Sequence, residues 1–266
     1  MKVSIVTISY NQADYIEKCL KSVINQTYNN IEYIVIDGGS TDGSTAIINR
    51  YAGNITQILI EKDDGAAHGL NKGFNLASGE LYAFLNSDDE ITETAIEDLV
   101  QEANRHPNYD VYSGHGFLVD ADGRFLRRLF SDHFNLKRGA NGAAYIIQPS
   151  TLFRRDAYDA IGGFNINNRS TWDGELWVEM AKNGARFRRV EGYYSLYRLH
   201  GESITASAAA RSGLQRHHDA MFAKAFGRQP NIVDRLIAIF LKIERHIRNP
   251  RGFFERLFYG PVSGRR

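Results

Sequence analysis

The chain has 266 residues, enough for one large hydrophobic core or two modest ones. Apolar residues make up 43% and charged residues 24%, as in an ordinary soluble globular protein, and a net charge of +1 argues against a dedicated nucleic-acid binder. The single cysteine, Cys19, excludes an intramolecular disulfide and suits a reducing compartment, and no apolar run is long enough to span a bilayer.

Met1-Lys2 leads straight into a strand pattern, so no signal peptide is expected and the expected location is the cytoplasm. Val3 to Ile8 is a β-rich apolar run that ends in the polar loop Ser9-Tyr10-Asn11-Gln12. A helix follows, with Ile16, Cys19, Leu20, Val23 and Ile24 at helical spacing and Asp14 in its first turn. Cys19 falls on the apolar side of that helix and reads as core. Glu32 to Ile36 is a second strand, ending in Asp37-Gly38-Gly39-Ser40-Thr41-Asp42-Gly43. A short helix over 46–51 leads to a third strand over 55–60, which ends in Glu61-Lys62-Asp63-Asp64-Gly65. A helix over 66–77 leads to a fourth strand, Leu81 to Leu85, which stops at Asn86-Ser87-Asp88-Asp89. Four strand–helix alternations predict an α/β fold with a Rossmann-like, mostly parallel central sheet flanked by helices. Parallel strands would gather all four polar exits on one edge, where such sheets bind ligands.

The second half reads differently. A helix over 92–105 ends before Pro107, and a strand is expected over 109–113. Strands over 116–119 and 124–130 flank the turn signal Asp120-Ala121-Asp122-Gly123. Short strands are expected over 145–147 and 151–153, on either side of Gln148-Pro149. Trp172-Asp173-Gly174-Glu175 opens a helix through Lys182, stopped by Gly184. Short strands over 187–190 and 194–198 precede His200-Gly201-Glu202-Ser203-Ile204-Thr205, which closes the compact part. The expected division is one compact domain over 1–205 and a helical extension over 206–266, with a first helix over 207–226.

The exit of the fourth strand is the strongest chemical signal. Two adjacent carboxylates at the end of a buried strand are costly to desolvate unless something positive meets them. A divalent cation carried by a phosphate ligand would do so, and a solvated turn capping the next helix is the plainer alternative. Asp37, in a Gly-rich turn, could accept hydrogen bonds from a base or ribose, or serve only its turn. Asp63 and Asp64 allow similar work, or an N-cap. Lys72 could counter phosphate charge or belong to a solvated helix face. Asp173 stands where a cap would stand, and a lone His such as His200 is more often structural than a ligand.

Five blocks in this order resemble the family 2 glycosyltransferases of the GT-A fold: Thr7-Ile8-Ser9-Tyr10-Asn11, Asp37 to Gly43, Asp63-Asp64-Gly65 through Asn71-Lys72-Gly73, Gly79-Glu80 through Asn86-Ser87-Asp88-Asp89, and Trp172-Asp173-Gly174-Glu175-Leu176-Trp177. The resemblance covers residues 1–205. It implies an inverting transfer from a nucleotide-diphospho-sugar to a saccharide or lipid-linked acceptor, with Mn²⁺ or Mg²⁺, as in bacterial cell-surface polysaccharide assembly. By position it implies nucleotide contacts from Thr7, Tyr10, Asn11 and Asp37, and base or ribose contacts from Asp63 or Asp64. It implies a metal-binding Asp88-Asp89 pair with Asp89 the direct ligand, Asp173 as catalytic base, and His200 near the diphosphate and metal. Relatives often carry a His before the Gln of the Gln148 block, where this chain has Ile147. A metal-dependent nucleotidyltransferase and a non-catalytic nucleotide-sugar-binding module stand as alternatives. The first would want a Gly-rich basic loop after the first strand, which Ser9-Tyr10-Asn11-Gln12 does not offer, and the second would not need Asp173.

The tail differs from the body. Residues 228–266 carry nine Lys/Arg and three Asp/Glu, a net of +6, against −5 for residues 1–227. Ile232, Leu236, Ile239, Phe240, Ile243 and Ile247 recur at helical spacing with Arg and Lys between them, and Phe253, Phe254, Leu257 and Phe258 repeat the pattern after Pro250. This pattern fits peripheral contact with the inner face of a membrane, or packing on the domain, or a dimer.

Overall fold

The computed structural model describes residues 1–169, 171–201 and 214–260, with residues 214–217 described as backbone only. The order of elements over the first half follows from alternating apolar runs. Strand β1 (Val3–Ser9) turns Val3 and Ile5 to one face of the sheet and Val6 to the other, as the two-residue period of a strand requires. It therefore feeds two core layers. One contains Ile16, Cys19, Leu20 and Val23 of α1 (Ile16–Ile24), Ile48 of α2 (Ser44–Arg50), and Ile96, Leu99 and Val100 of α4 (Ala95–Arg105). The other contains Leu70 and Phe74 of α3 (Ala66–Leu76) with Trp172, Leu176, Trp177 and Met180 of α7 (Trp172–Lys182). Helices thus cover both faces of the sheet. Gly73 lets α3 lie directly on β1, since a Cβ there would come within 2.3 Å of Val6 Cγ1.

Strands β2 (Ile31–Asp37), β3 (Gln57–Ile60) and β4 (Leu81–Asn86) join β1 in the order β3-β2-β1-β4, all parallel, as expected. The remainder corrects the expectation of a mostly parallel sheet. The sheet continues through β8 (Thr151–Arg154), β6 (Val111–Val119), β9 (Phe187–Arg198) and β5 (Glu90–Ile91). Here β8 is antiparallel to both β4 and β6, β9 runs parallel to β6, and β5 is antiparallel to β9, so the whole sheet is mixed. The expected hairpin forms between β6 and β7 (Phe125–Leu129) around the 120–123 turn, with Gly123 at φ 90°.

Several local expectations change. The strands expected over 109–113 and 116–119 are one strand, β6, and Asp14 stands before α1 rather than in its first turn. Residues 145–147 form no strand, because side chains claim their backbone: Tyr145 N donates to Asp132 and Ile147 N to Ser131. The two short strands expected over 187–198 are one strand, β9, whose register against β6 shifts near Gly192. The helix expected from Thr92 begins at Ala95, because Glu90 and Ile91 pair with β9 first. Two short helices, α5 (Leu136–Ala140) and α6 (Arg155–Asp159), complete the body.

The expected boundary at 205/206 and the first part of the helix expected over 207–226 lie outside the described residues. Helix α8 (Leu214–Phe226) follows, tied to α7 by Lys224, whose ammonium meets the Glu175 carboxylate. Helix α9 (Ile232–Arg248) opens on a reciprocal cap, with Asn231 accepting from Asp234 N and Asp234 from Asn231 N. Asn249 then caps α10 (Pro250–Tyr259), which has Pro250 at its first position.

Candidate active site

The exits of β1 and β2 are stitched together. The register pairs Ser9 with Asp37, and Gly38 N donates to Ser9 O at 2.9 Å. Asn11 sits at φ 52°, a left-handed position that Asn tolerates, so its N–H reaches Ser40 Oγ (2.8 Å) and its side-chain oxygen accepts from Thr41 N (2.9 Å). Asp37 is fully buried, and its carboxylate accepts from Gly39 N, Ser40 N and Ser40 Oγ. Its side chain shapes the turn, so the turn's surface rather than this carboxylate faces outward. Asp42, not singled out from the sequence, does the same for the other rim by accepting from Ala13 N and from Ser44. Tyr10 stands exposed at this edge.

Thr7 is the clearest correction. It shares a face with Val3 and Ile5, it is fully buried, and its hydroxyl lies 3.0 Å from that of Tyr33 inside the core. No part of its side chain is open to a nucleotide. Cys19 lies beside it, and burial pushes its thiol well above the ordinary value, which leaves it inert core.

At the exit of β3, Asp63 accepts from Gly65 N at 2.8 Å. Its carboxylate fills the space beside Gly38 and Gly69, where a Cβ would come within 2.9 and 3.0 Å of Asp63 Oδ2. Asp63 therefore binds the exits of β2 and β3 and the start of α3 into one wall. Asp64 is exposed and faces His68. Lys72 lies at the β3 exit, where its ammonium meets the half-exposed Glu61 (2.7 Å) and donates to Lys62 O (2.9 Å).

The exit of β4 carries an incompletely satisfied charge. Asp89 is 1% exposed. Its Oδ1 accepts from Arg198 N at 2.8 Å, whereas its Oδ2 is buried with no hydrogen-bond partner among the described residues. Burial, and then the neighbouring Asp88, push the Asp89 carboxyl well above its ordinary value, because both disfavour a second negative charge there. Asp88 Oδ2 lies 3.0 Å from His200 Nε2, and the His200 ring lies against Tyr15 at 4.6 Å. A buried arginine missing from the sequence reading closes this corner. Arg198 donates to Asp88 O (2.9 Å) and to Asp120 O and Ala121 O (both 3.1 Å), and it pairs with Glu90. It thus fixes the Asp-Asp turn against the β6–β7 hairpin. An arginine two residues before His200 at a strand end was the only available sign.

Helix α7 supplies the remaining acid. Trp172 packs on Phe84 of β4 at 5.5 Å and on Phe164 at 5.6 Å, which anchors the start of α7 to the strand bearing the Asp pair. Gln148, buried, donates to Phe84 O at 2.6 Å and holds the same strand from its other side. Thr171, not Asp173, occupies the N-cap position. Asp173 lies in the first turn with no ion pair among the described residues, and burial raises its carboxyl above the ordinary value. Glu175, two residues on, has the opposite fate. Burial alone would raise it, but Lys224, Asn168 and Asn165 together hold it below its usual range, so it is a structural carboxylate.

A divalent metal fits this donor set. No three metal-ligating side chains form a ready cluster among the described residues. A Mg²⁺-like ion does not require one, since it takes one or two carboxylates and fills its shell with water and substrate phosphate. The unbonded Asp89 Oδ2, next in sequence to Asp88, whose carboxylate meets His200, offers oxygen donors for such a partial shell.

Several known proteins are similar to this chain. "Glycosyltransferase GlyG" of Streptococcus pneumoniae serotype 4 is 28% identical over 191 residues, covering 65% of this chain and 62% of that protein. The chain therefore spans about three fifths of that relative. "PGL/p-HBAD biosynthesis glycosyltransferase" of Mycobacterium bovis is 27% identical over 190 residues, covering 70% and 72%. Among solved structures, S. aureus TarS 1-349 in complex with UDP-GlcNAc superposes with a TM-score of 0.71 at 19% identity, over 95% of this chain and 75% of that one. The mannosyltransferase PcManGT from Pyrobaculum calidifontis, in complex with GDP-Man and Mn²⁺, superposes with a TM-score of 0.66 at 18% identity, over 97% and 73%. These superpositions speak to the fold, which is GT-A-like. The family model of glycosyl transferase family 2 matches residues 4–162, a stretch that holds all four parallel strands and the Asp-Asp exit of β4, and the chain belongs to that family.

Proposed function

We propose that this chain transfers a sugar from a nucleotide-diphospho-sugar to a hydroxyl of a saccharide or lipid-linked acceptor, with inversion at the anomeric carbon, in the assembly of a cell-surface glycan. The observation that carries this reading is the buried, unbonded Asp89 Oδ2 at the carboxyl edge of the sheet, next to Asp88, which His200 contacts. The donors named in the TarS and PcManGT structures support the substrate class, and the PGL/p-HBAD biosynthesis in the name of the mycobacterial relative supports a biosynthetic role.

The residues divide the work. The exposed Tyr10 ring and the 38–43 turn, shaped by Asn11, Asp37 and Asp42, form the nucleotide wall, with Asp63 and Asp64 at its far side. Asp89 and Asp88, with His200 on Asp88, would hold Mn²⁺ or Mg²⁺, which would supply positive charge to a leaving diphosphate. Asp173 takes the proton from the acceptor hydroxyl as that oxygen attacks C1. Its desolvation suits the task, because a carboxylate with a raised pKa is a better base. The buried Thr7 side chain has no place in this scheme.

A thermal-shift series with UDP- and GDP-sugars, with and without Mn²⁺, tests the reading. A ligand at a hundred times its Kd stabilises the fold by about 2.7 kcal/mol, a shift of several degrees. The expected result is a rise in Tm that needs donor and Mn²⁺ together. No shift with any pair, or the same shift without metal, would contradict it.

A further inference from the structure

Helix α9 is mounted by its polar side. Arg138 on the body donates to Glu244 at 2.9 Å, Arg245 lies 3.7 Å from the buried Asp132, and Asn249 at the helix end donates to Asp132 at 3.0 Å. Only Asp234 and Leu241 of α9 are buried. The apolar side points outward: Ile232, Leu236, Ile239, Phe240, Ile243 and Ile247 are 54–75% exposed. At 3.6 residues per turn these six share one arc of about 100°, the width of a stripe that normally faces a core. Packing of this stripe on the domain, one of the sequence expectations, is therefore not what the chain does. Helix α10 adds Phe254 and Leu257, also exposed.

We propose that α9 and α10 form a docking surface for an anionic lipid bilayer, with the apolar arc entering the boundary between headgroups and acyl chains. The charge around the arc selects this occupant over a second copy of the chain. Arg235 and Lys242 lie along one border of the arc, and exposed Arg251 opens α10. The segment 228–266 carries +6. A two-fold dimer through this face would set one basic segment against another, whereas lipid phosphates meet it with opposite charge. Aromatic residues among the exposed set suit the interfacial layer. No helix among the described residues is long and apolar enough to cross a membrane, so the surface lies on the bilayer.

A chain of contacts links the surface to the site. Glu255 of α10 lies 3.6 Å from Arg128 of β7, and Arg127 of β7 donates to Gly260 O. The hairpin that contains β7 is the one whose turn Arg198 clamps to Asp88. Docking would therefore hold the carboxyl edge of the sheet at a fixed height above the lipid. The proposal rests on the tail's own geometry and does not depend on the transfer chemistry.

Co-sedimentation of the full chain with vesicles of phosphatidylcholine, and of phosphatidylcholine mixed with rising fractions of phosphatidylglycerol, tests it. Ile239→Glu/Phe240→Glu is the matched variant, and Lys242→Glu/Arg251→Glu the charge variant. Binding is expected to rise with phosphatidylglycerol and to fall with salt. The first variant is expected to lose it at least about ten-fold with an unchanged Tm, since both side chains are exposed, and the second to lose it about ten-fold or more. Three results would overturn the proposal: no sedimentation at any lipid fraction, equal binding by wild type and Ile239→Glu/Phe240→Glu, or a lipid-indifferent dimer that this variant dissociates, which would give the face to a second copy.

Discussion

At the scale of single residues, burial decides roles that residue type leaves open. Asp173 and Glu175 lie two positions apart on α7, yet burial raises the first, and the Lys224 ammonium with two amides lowers the second. The sign of the Asp173 shift has a consequence for stability. A carboxyl raised in the folded state holds its proton more tightly than the unfolded chain does, so it opposes folding increasingly as pH climbs above its unfolded value. Asp173→Asn is therefore expected to leave Tm unchanged or higher while turnover falls by about 10²–10⁴, the usual contribution of a general base. A melting curve and an initial-rate assay on one preparation check both halves. A variant within a few-fold of wild-type turnover would reduce Asp173 to a residue of the helix start. In the wild type, the acid limb of the rate profile is expected to lie above the ordinary Asp value, with activity rising as Asp173 loses its proton.

At the scale of elements, the account turns on how strand ends are held. Arg198 clamps three segments that lie far apart in the sequence, at Asp88–Glu90, Asp120–Ala121 and the end of β9. Removing one partner from a buried, fully bonded ionic group costs about 3–5 kcal/mol. Arg198→Met is expected to lose that much in urea denaturation and to loosen the Asp-Asp turn, and a loss below about 1 kcal/mol would remove Arg198 from this role. Gly73→Ala tests the other side of the sheet. Its Cβ would collide with Val6, so a loss of about 1–3 kcal/mol is expected from overpacking. Elements that depend on their own residues were readable: the four parallel strands from apolar runs ending in Gly and Asp, α1 and α3 from helical spacing, the hairpin from Asp120 to Gly123. Elements that depend on partners were not. Strand β5 is two residues that pair only because β9 arrives beside them, and residues 145–147 lose their strand to Ser131 and Asp132. Thr7 is a residue whose alternation with Val3 and Ile5 already pointed inward, although the motif around it pointed to a ligand. The stripe on α9 was visible in the sequence, but which side met the body was set by Arg138 and Asp132, far from it in the chain.

At the scale of the whole molecule, the sheet has two ends with different electrostatics. At the amino end, Glu32 is buried and fully bonded to Lys2, Ser4 and Ser78. Burial alone would raise its pKa, but these partners overcome it and hold it at about 2. Such a group stabilises the fold above the unfolded value of 4.5, and that contribution is lost as pH falls toward 2. Glu32→Gln is expected to flatten the loss of Tm between those two pH values relative to wild type; parallel curves would contradict it. At the carboxyl end, the Asp pair is left with an unbonded oxygen, and charge that goes unsatisfied there suits a site that is completed by a ligand. The most direct test of that central claim is calorimetric titration of UDP and of GDP, with Mn²⁺ present, into wild type and Asp89→Asn. The account predicts metal-dependent binding of one nucleotide to wild type, its loss in Asp89→Asn, and a Tm for the variant no lower than wild type, because the substitution removes a buried charge that lacks a full set of partners. Equal binding by both proteins would contradict it.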